Sequence, residues 1–267
     1  MLASLPMYDL PELRAETDAL WDGFARAFRA EGLRNVPQAL TRGDDVMAQW
    51  TASDLMFSQT CGYPLTHALS GRVTLVATPL YDCPGCAGGT YRSEILVRAD
   101  DPAASLADLR GRGVAVNGRD SQSGYSALRH AVAGLAEDGR FFGAVTVTGS
   151  HRASMQAVAA GQADVCAADV VTYTLLQRAA PDVTRRLRVL AHTAAAPALP
   201  YISRRDLPAD DLRRLQAGLM RACGDPALND ARQALLLAGV AMMPLSAYDR
   251  ILELEAAAVA AGYSDLT

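Results

Sequence analysis

The sequence predicts an α/β protein of two lobes, each a mixed sheet flanked by helices, hinged by two crossing strands. Three observations predict it. Short β-rich runs alternate with helical patterns over most of the chain, which is the order of a layered α/β sheet. A block of that kind, about Asp101 to Thr193, is bracketed by two segments that would complete an earlier block. Two runs, Glu94 to Arg98 and Leu187 to Thr193, fall where the chain would cross between them. The expected lobes are therefore 1–98 with 194–267, and an inserted, anion-gripping 99–193. In such a clamp the ligand is expected between the lobes, where helix N-termini and strand ends converge.

The elements follow in order. Leu2 to Tyr8 is a short apolar run expected as the first strand. Pro11 sits near a helix start, and Leu13, Leu20, Trp21, Phe24 and Phe28 share one face at helical spacing. Asn35 to Leu40 and Asp54 to Ser58 read as strands around a brief helix, and Val73 to Thr78 and Glu94 to Arg98 as two more. In the second block Leu106 to Leu109 is a short helix ended by Gly111, and Val114 to Asn117 a buried strand. Helix Ser123 to Ala136, strand Val145 to Thr148 and helix Ser154 to Ala160 follow, then strand Asp164 to Ala168 and helix Val170 to Ala180. Leu187 to Ala191 is a further strand. Beyond Pro197 and Pro200 the chain reads as helical to its end, with starts at Pro208 and Pro226 and a cap at Ser246.

Composition narrows the function. Half of the 267 residues are hydrophobic and 20% are charged, too apolar for disorder and enough for one large domain or two smaller ones with proper cores. No apolar run approaches the roughly 20 residues of a membrane-spanning helix, so no membrane insertion is expected. All 25 basic residues are arginine, which excludes Schiff-base and lysine-nucleophile chemistry. A net charge of −4 without a basic run disfavours nucleic acid. Residues 101–193 carry 10 arginines against 8 acids, a weak preference of that block for an anion. The amino terminus lacks the basic region and long apolar stretch of a secretory leader, so a cytoplasmic location stays open. Five cysteines leave one over in any full pairing. Cys83-Pro-Gly-Cys86 has no second ligand pair for zinc, and its glycine-rich surroundings indicate a loop, with a local disulfide left open.

Two strand-to-helix junctions carry the candidate site. In Asn117-Gly-Arg-Asp-Ser-Gln-Ser-Gly-Tyr125, Ser121, Ser123 and Gly124 offer hydroxyls and unhindered N–H groups at a helix start, suited to an oxyanion. Plain N-capping explains the same residues. The lysine and glycine pattern of a nucleotide P-loop is absent. In Gly149-Ser-His-Arg-Ala-Ser154, His151 is placed to donate to an anion and Ser154 to cap. Asp169 ends a strand, and Gln59 lies in a segment whose Gly62 permits close approach. Tyr81 and Tyr91 bracket the CxxC loop, as cleft walls or partly buried core. Ser123 or Cys61 with His151 and Asp169 assembles on paper as a catalytic set, but no GxSxG elbow or HExxH motif accompanies it.

Ser121-Gln-Ser-Gly, His151-x-x-Ser154-x-x-Ala157-Val158-x-x-Gly161-x-Ala163-Asp164 and Tyr91-Arg-Ser-Glu-Ile-Leu-Val-Arg resemble the phosphate/phosphite/phosphonate substrate-binding proteins of ABC transporters. The resemblance runs from about Met7 to Ile202 and implies the type II periplasmic-binding-protein fold, which is transferrin-like. It implies a solute-binding protein that closes on phosphate, phosphite or a phosphonate and delivers it to a transporter. It also implies a periplasmic location, an ABC permease as partner, a monomer, no cofactor and no catalysis. Ser121, Gln122 and Ser123 match the family's anion loop, with Gln122 replacing a usual small hydroxyl. His151 matches its anion-contacting histidine, Tyr91 a cleft aromatic, and Asp169 an acidic position that can meet a ligand amine. Ser121, Ser123, Gly124 and His151 are thus expected at the anionic head, and Tyr8, Gln59, Tyr81, Tyr91 and Asp169 around the remaining pocket, with Gln122 and Ser154 as further ligand-binding candidates. A cytoplasmic enzyme or ligand-sensing protein on the same clamp, taking a phosphorylated or heterocyclic metabolite, is the alternative.

Overall fold

A computed structural model describes residues 1–43 and 45–267. The chain divides into two compact units. The first holds 1–82, 87–89 and 197–247, and the second holds 83–86, 90–196 and 248–267. These bounds differ from the expected lobes, since 83–86, 90–98 and 194–196, expected in the first lobe, fall in the second unit. The runs expected to cross, observed as Ser93–Arg98 and Leu187–His192, pair antiparallel inside the second unit, Leu187 with Arg98 and His192 with Glu94. The last helix, expected in the first lobe, belongs to the second unit.

The first unit is built on a five-stranded mixed sheet. Its order is Leu2–Ser4, Leu55–Gln59, Tyr201–Arg204, Val73–Tyr81, Leu237–Ala241, and only the first pair is parallel. Helix Arg14–Ala30 follows a single turn at Pro11–Leu13, where proline fixes a helical φ and the missing N–H would have had no partner. Its buried face carries Trp21, Phe24 and Phe28 onto Phe57 and Tyr201 of the sheet, with helix-to-sheet ring centroids 5.4–6.2 Å apart. Helix Ala209–Cys223 packs beside it through Gly218, where an added Cβ would come within 2.6 Å of Phe28.

Three local expectations change here. Asn35 to Leu40 is irregular rather than a strand, since Asn35 adopts φ +55° and Pro37 has no N–H for a ladder. The carboxy-terminal third is not helical throughout, because it supplies strands Tyr201–Arg204 and Leu237–Ala241. Leu236, at φ +59°, ends the preceding helical stretch and starts the second of them. Leu2 to Tyr8 shortens to Leu2–Ser4.

The second unit has its own five-stranded sheet, ordered Leu187–His192, Ser93–Arg98, Val165–Asp169, Gly113–Val116, Ala144–Val147. The last three strands are parallel, as βαβ connections require, while Ser93–Arg98 runs antiparallel to both neighbours. Strand Val165–Asp169 is buried along its whole length. The core joins Ile95, Val97, Val114, Val116, Leu128 and Val165 to Ala258, Tyr263 and Leu266 of the terminal segment. Arg129, 5% exposed, ties that segment down through Glu255 at 3.0 Å and the Ser264 carbonyl. Among the described residues no helix is long and apolar enough to cross a membrane, and no cluster of metal-ligating side chains occurs.

Candidate functional site

The second unit brings Ser121, Ser123, Gly124, His151 and Asp169 together at the carboxyl ends of its parallel strands. Strand Gly113–Val116 leads into the segment that carries Ser121. This residue caps a π-helical turn, Gln122–Ser126, that runs into helix Ala127–Ala133. The wide turn is closed by Ser126 N–H on the Ser121 carbonyl and Ala127 N–H on the Gln122 carbonyl. Such turns interrupt α-helices mostly where a site needs side chains re-aimed. Strand Ala144–Val147 leads to Ser150, which caps helix His151–Ala159 by accepting from Ala153 N–H at 3.1 Å. Strand Val165–Asp169 ends on the carboxylate that caps helix Val170–Ala179.

Ser123 Oγ lies 2.8 Å from His151 Nε2 and 3.4 Å from Ser121 Oγ. Asp169 Oδ2 lies 3.7 Å from the same His151 Nε2. Thr172 secures the carboxylate twice, with its N–H on Oδ1 at 3.0 Å and its hydroxyl on Oδ2. Ser121 Oγ accepts from the Gly124 N–H at 3.1 Å, so that expected anion donor is already engaged. Gly124 has no room for a side chain: an added Cβ would fall 1.9 Å from Asn117 Oδ1 and 3.1 Å from His151 Cε1. Ser121, Ser123 and Asp169 are 5% exposed or less.

Burial lowers the His151 pKa from its ordinary value near 6.5. The Asp169 charge opposes this, as does a backbone hydrogen bond at Ala167. The imidazole is therefore held neutral. With one ring proton, the contact between His151 and Ser123 uses either that proton or the serine's. Protonating the ring would let Nε2 donate and release the Ser123 hydroxyl toward a ligand. The cluster is not a relay triad, since serine and acid approach the same ring nitrogen. A Ser–His–acid relay needs the acid on Nδ1.

The other expected residues are placed as follows. Gln122 is fully buried in the π turn, and Tyr91 is 2% exposed on strand Thr90–Tyr91. Ser154 is fully buried and lies 2.7 Å from the Thr148 hydroxyl, while the cap is Ser150. Tyr8, Gln59 and Tyr81 belong to the first unit. There Gln59 Nε2 donates to Tyr81 Oη at 2.9 Å and to the Leu199 carbonyl at 3.0 Å, and Tyr8 meets Tyr81 edge to face. With Tyr201 they line a cavity of about 30 Å³, room for one or two waters. A larger pocket in the second unit, about 660 Å³, is lined by Arg110, Arg119, Phe141 and Thr267 and shares no residue with the serine–histidine cluster.

Three neighbours were missed from the sequence. Asn117 and Thr172 press on Gly124 and Asp169, and Ser93 stands opposite Asp169 across the sheet. The Oγ of Ser93 is buried without a partner among the described residues. Thr172 had a readable signal, a hydroxyl three residues after a capping aspartate. Ser93 had none, because register joins it to Asp169 across 76 positions of sequence.

Solved structures share this two-unit α/β fold. The binding-protein component of an ABC phosphonate transporter from Pseudomonas aeruginosa aligns at 15% identity and TM-score 0.78, covering 98% of this chain and 87% of that one. PhnD1 from Prochlorococcus marinus, in complex with methylphosphonate, aligns at 13% identity and TM-score 0.76 over 96% and 97%. XAC2383 from Xanthomonas citri, bound to ATP, aligns at 19% identity and TM-score 0.72 over 98% of each chain. No curated protein matches the sequence significantly. The fold is that of the type II periplasmic binding proteins. The sequence profile described as "ABC transporter, phosphonate, periplasmic substrate-binding protein" matches residues 50–248, and the chain belongs to that family. Its members are solute-binding proteins of ABC transporters, not enzymes, and the family is periplasmic.

Proposed function

We propose that this chain binds a small oxyanion, a phosphonate, phosphite or phosphate, on Ser121, Ser123 and His151 of the second unit. Asp169 accepts from a protonated oxygen or an amine of the ligand. The observation that carries this reading is the Ser123–His151 contact at 2.8 Å, backed by Ser121 at 3.4 Å from Ser123. It supplies hydroxyl and imidazole donors in a chain whose basic residues include no lysine. In this reading the protein works in the periplasm as a monomer and hands its ligand to a permease. Titration calorimetry with methylphosphonate, phosphite, phosphate and ATP tests it. The expected result is binding of at least one oxyanion, weakened about tenfold or more in Ser123→Ala and in His151→Ala. Heat from ATP alone would replace the oxyanion class with nucleotides, and no heat from any of the four would end the reading.

A further inference from the structure

We propose that Cys83 and Cys86 are a reversible dithiol–disulfide pair whose closure tightens the oxyanion site. The four residues Cys83-Pro-Gly-Cys86 form a turn in which Cys86 N–H donates to the Cys83 carbonyl at 3.1 Å. Proline at the second position and Gly85 at φ +95° in the third are what a type II turn demands. A turn of this kind holds its outer Cα atoms within about 7 Å, overlapping the roughly 4.4–6.8 Å that a disulfide spans. The two sulfurs already lie 3.3 Å apart as thiols.

The turn is bonded to the support of Asp169. The Gly85 carbonyl accepts from Arg92 N–H at 3.2 Å, and the Arg92 carbonyl accepts from Val170 N–H at 3.1 Å. Val170 directly follows Asp169. The contact is tight, since a Cβ at Gly85 would come within 2.9 Å of Arg92 Nε and 3.4 Å of a Val170 methyl. Fixing the turn therefore fixes the end of the strand that presents the carboxylate. Pre-ordering of this kind strengthens binding by reducing what the ligand must immobilise.

The oxidant is a small disulfide. Cys86, the more exposed of the two, loses its proton and attacks one oxidant sulfur, expelling the other half as a thiolate that takes up the proton. Cys83 then loses its own proton and attacks the Cys86 sulfur of the mixed disulfide, expelling the second thiol. One protein S–S bond forms and one oxidant S–S bond breaks, so two electrons pass from the cysteines to the oxidant. Hydrogen bonding with Cys83, and then burial, push the Cys86 thiol well above its ordinary pKa, so exchange is slow at neutral pH. The affinity part of the proposal rests on the oxyanion reading, and its setting on the periplasmic one, where disulfides persist.

The test uses the full chain, reduced and then incubated at pH 8 with oxidised glutathione. Thiols are counted by alkylation and mass, and each form is titrated with methylphosphonate, phosphite and phosphate. The expected result is loss of two alkylatable thiols and two hydrogen masses, mapped to Cys83 and Cys86. The Tm should rise by about 2–6 °C, and the bound oxyanion should bind about threefold or more tightly to the oxidised form. The double variant Cys83→Ser, Cys86→Ser should show none of these changes. Persistent glutathione adducts on Cys83 or Cys86, or unchanged thiols there, would overturn the pair. A closed disulfide with equal affinities would overturn the coupling. If neither form binds any oxyanion, the oxyanion reading fails, and thiol count and Tm alone then decide the pair.

Discussion

His151 has to be neutral to sit where it does and charged to hold an anion best. Burial keeps it neutral, and an incoming anion beside Nε2 favours the imidazolium. Ligand binding is thus expected to take up a proton. Affinity should rise as pH falls from 8 toward 6, and calorimetric heats should depend on the buffer's ionisation enthalpy. His151→Gln should reduce both dependences to those of the ligand's own ionisation while retaining part of the binding. Stability runs the other way. The folded pKa is depressed, so between that value and about 6.5 the unfolded chain binds more protons. The contribution of neutral His151 is whole above pH 6.5 and declines below it, which denaturant melts of wild type and His151→Gln would resolve. At Gly124 the argument is steric. Gly124→Ala must displace Asn117 or His151, and a loss of oxyanion affinity of about tenfold or more is expected, with the far-UV spectrum unchanged.

Between helices, the governing quantity is how closely two backbones approach. Gly218 lets helix Ala209–Cys223 lie against Phe28 and the Ala27 backbone of helix Arg14–Ala30. Gly218→Val should overpack this seam and cost about 1–3 kcal/mol in chemical denaturation. The seam was half legible: the apolar stripe of the first helix stands out in the sequence, but the partner that meets it does not. The same division holds elsewhere. Strands flanked by turn residues, such as Val73–Tyr81 and Gly113–Val116, could be read from β-branched runs. Tyr201–Arg204 and Leu237–Ala241 could not, because one holds a single β-branched residue and the other is alanine- and glycine-rich. Both are strands through ladder bonds to Val73–Tyr81, a tertiary effect that overrides local preference. At the site, Ser121, Ser123 and His151 were legible because each follows a strand and caps or opens a helical turn. The π turn was not, since its i−5 bonds arise from packing that no spacing records.

For the whole molecule, the terminal segment matters most. Residues 248–267 were expected beside the first block, yet they complete the second unit with Ala258, Tyr263 and Leu266 in its core. Both Phe141 and Phe142 donate their N–H groups to the Thr267 carbonyl, at 2.6 and 2.9 Å. Removing 248–267 should therefore leave an open apolar face and an unpaired buried Arg129 in a unit that otherwise retains 83–196. The expected outcome is aggregation or dye-binding molten character, read by light scattering and ANS fluorescence. A truncated chain that stays monomeric with cooperative melting would contradict that dependence.

The tail also sets a clock. A chain made from its amino terminus completes the sheet of the second unit when residue 192 emerges, but the core of that unit is still missing three members. These arrive only with the last twenty residues, more than a hundred positions after the helix they cover. Until then the side of Ala127–Ala133 that meets the terminal helix has no protein cover. The second unit is thus the last to become native, and the interval before it closes is when the chain is most available to a holdase and most exposed to misassembly.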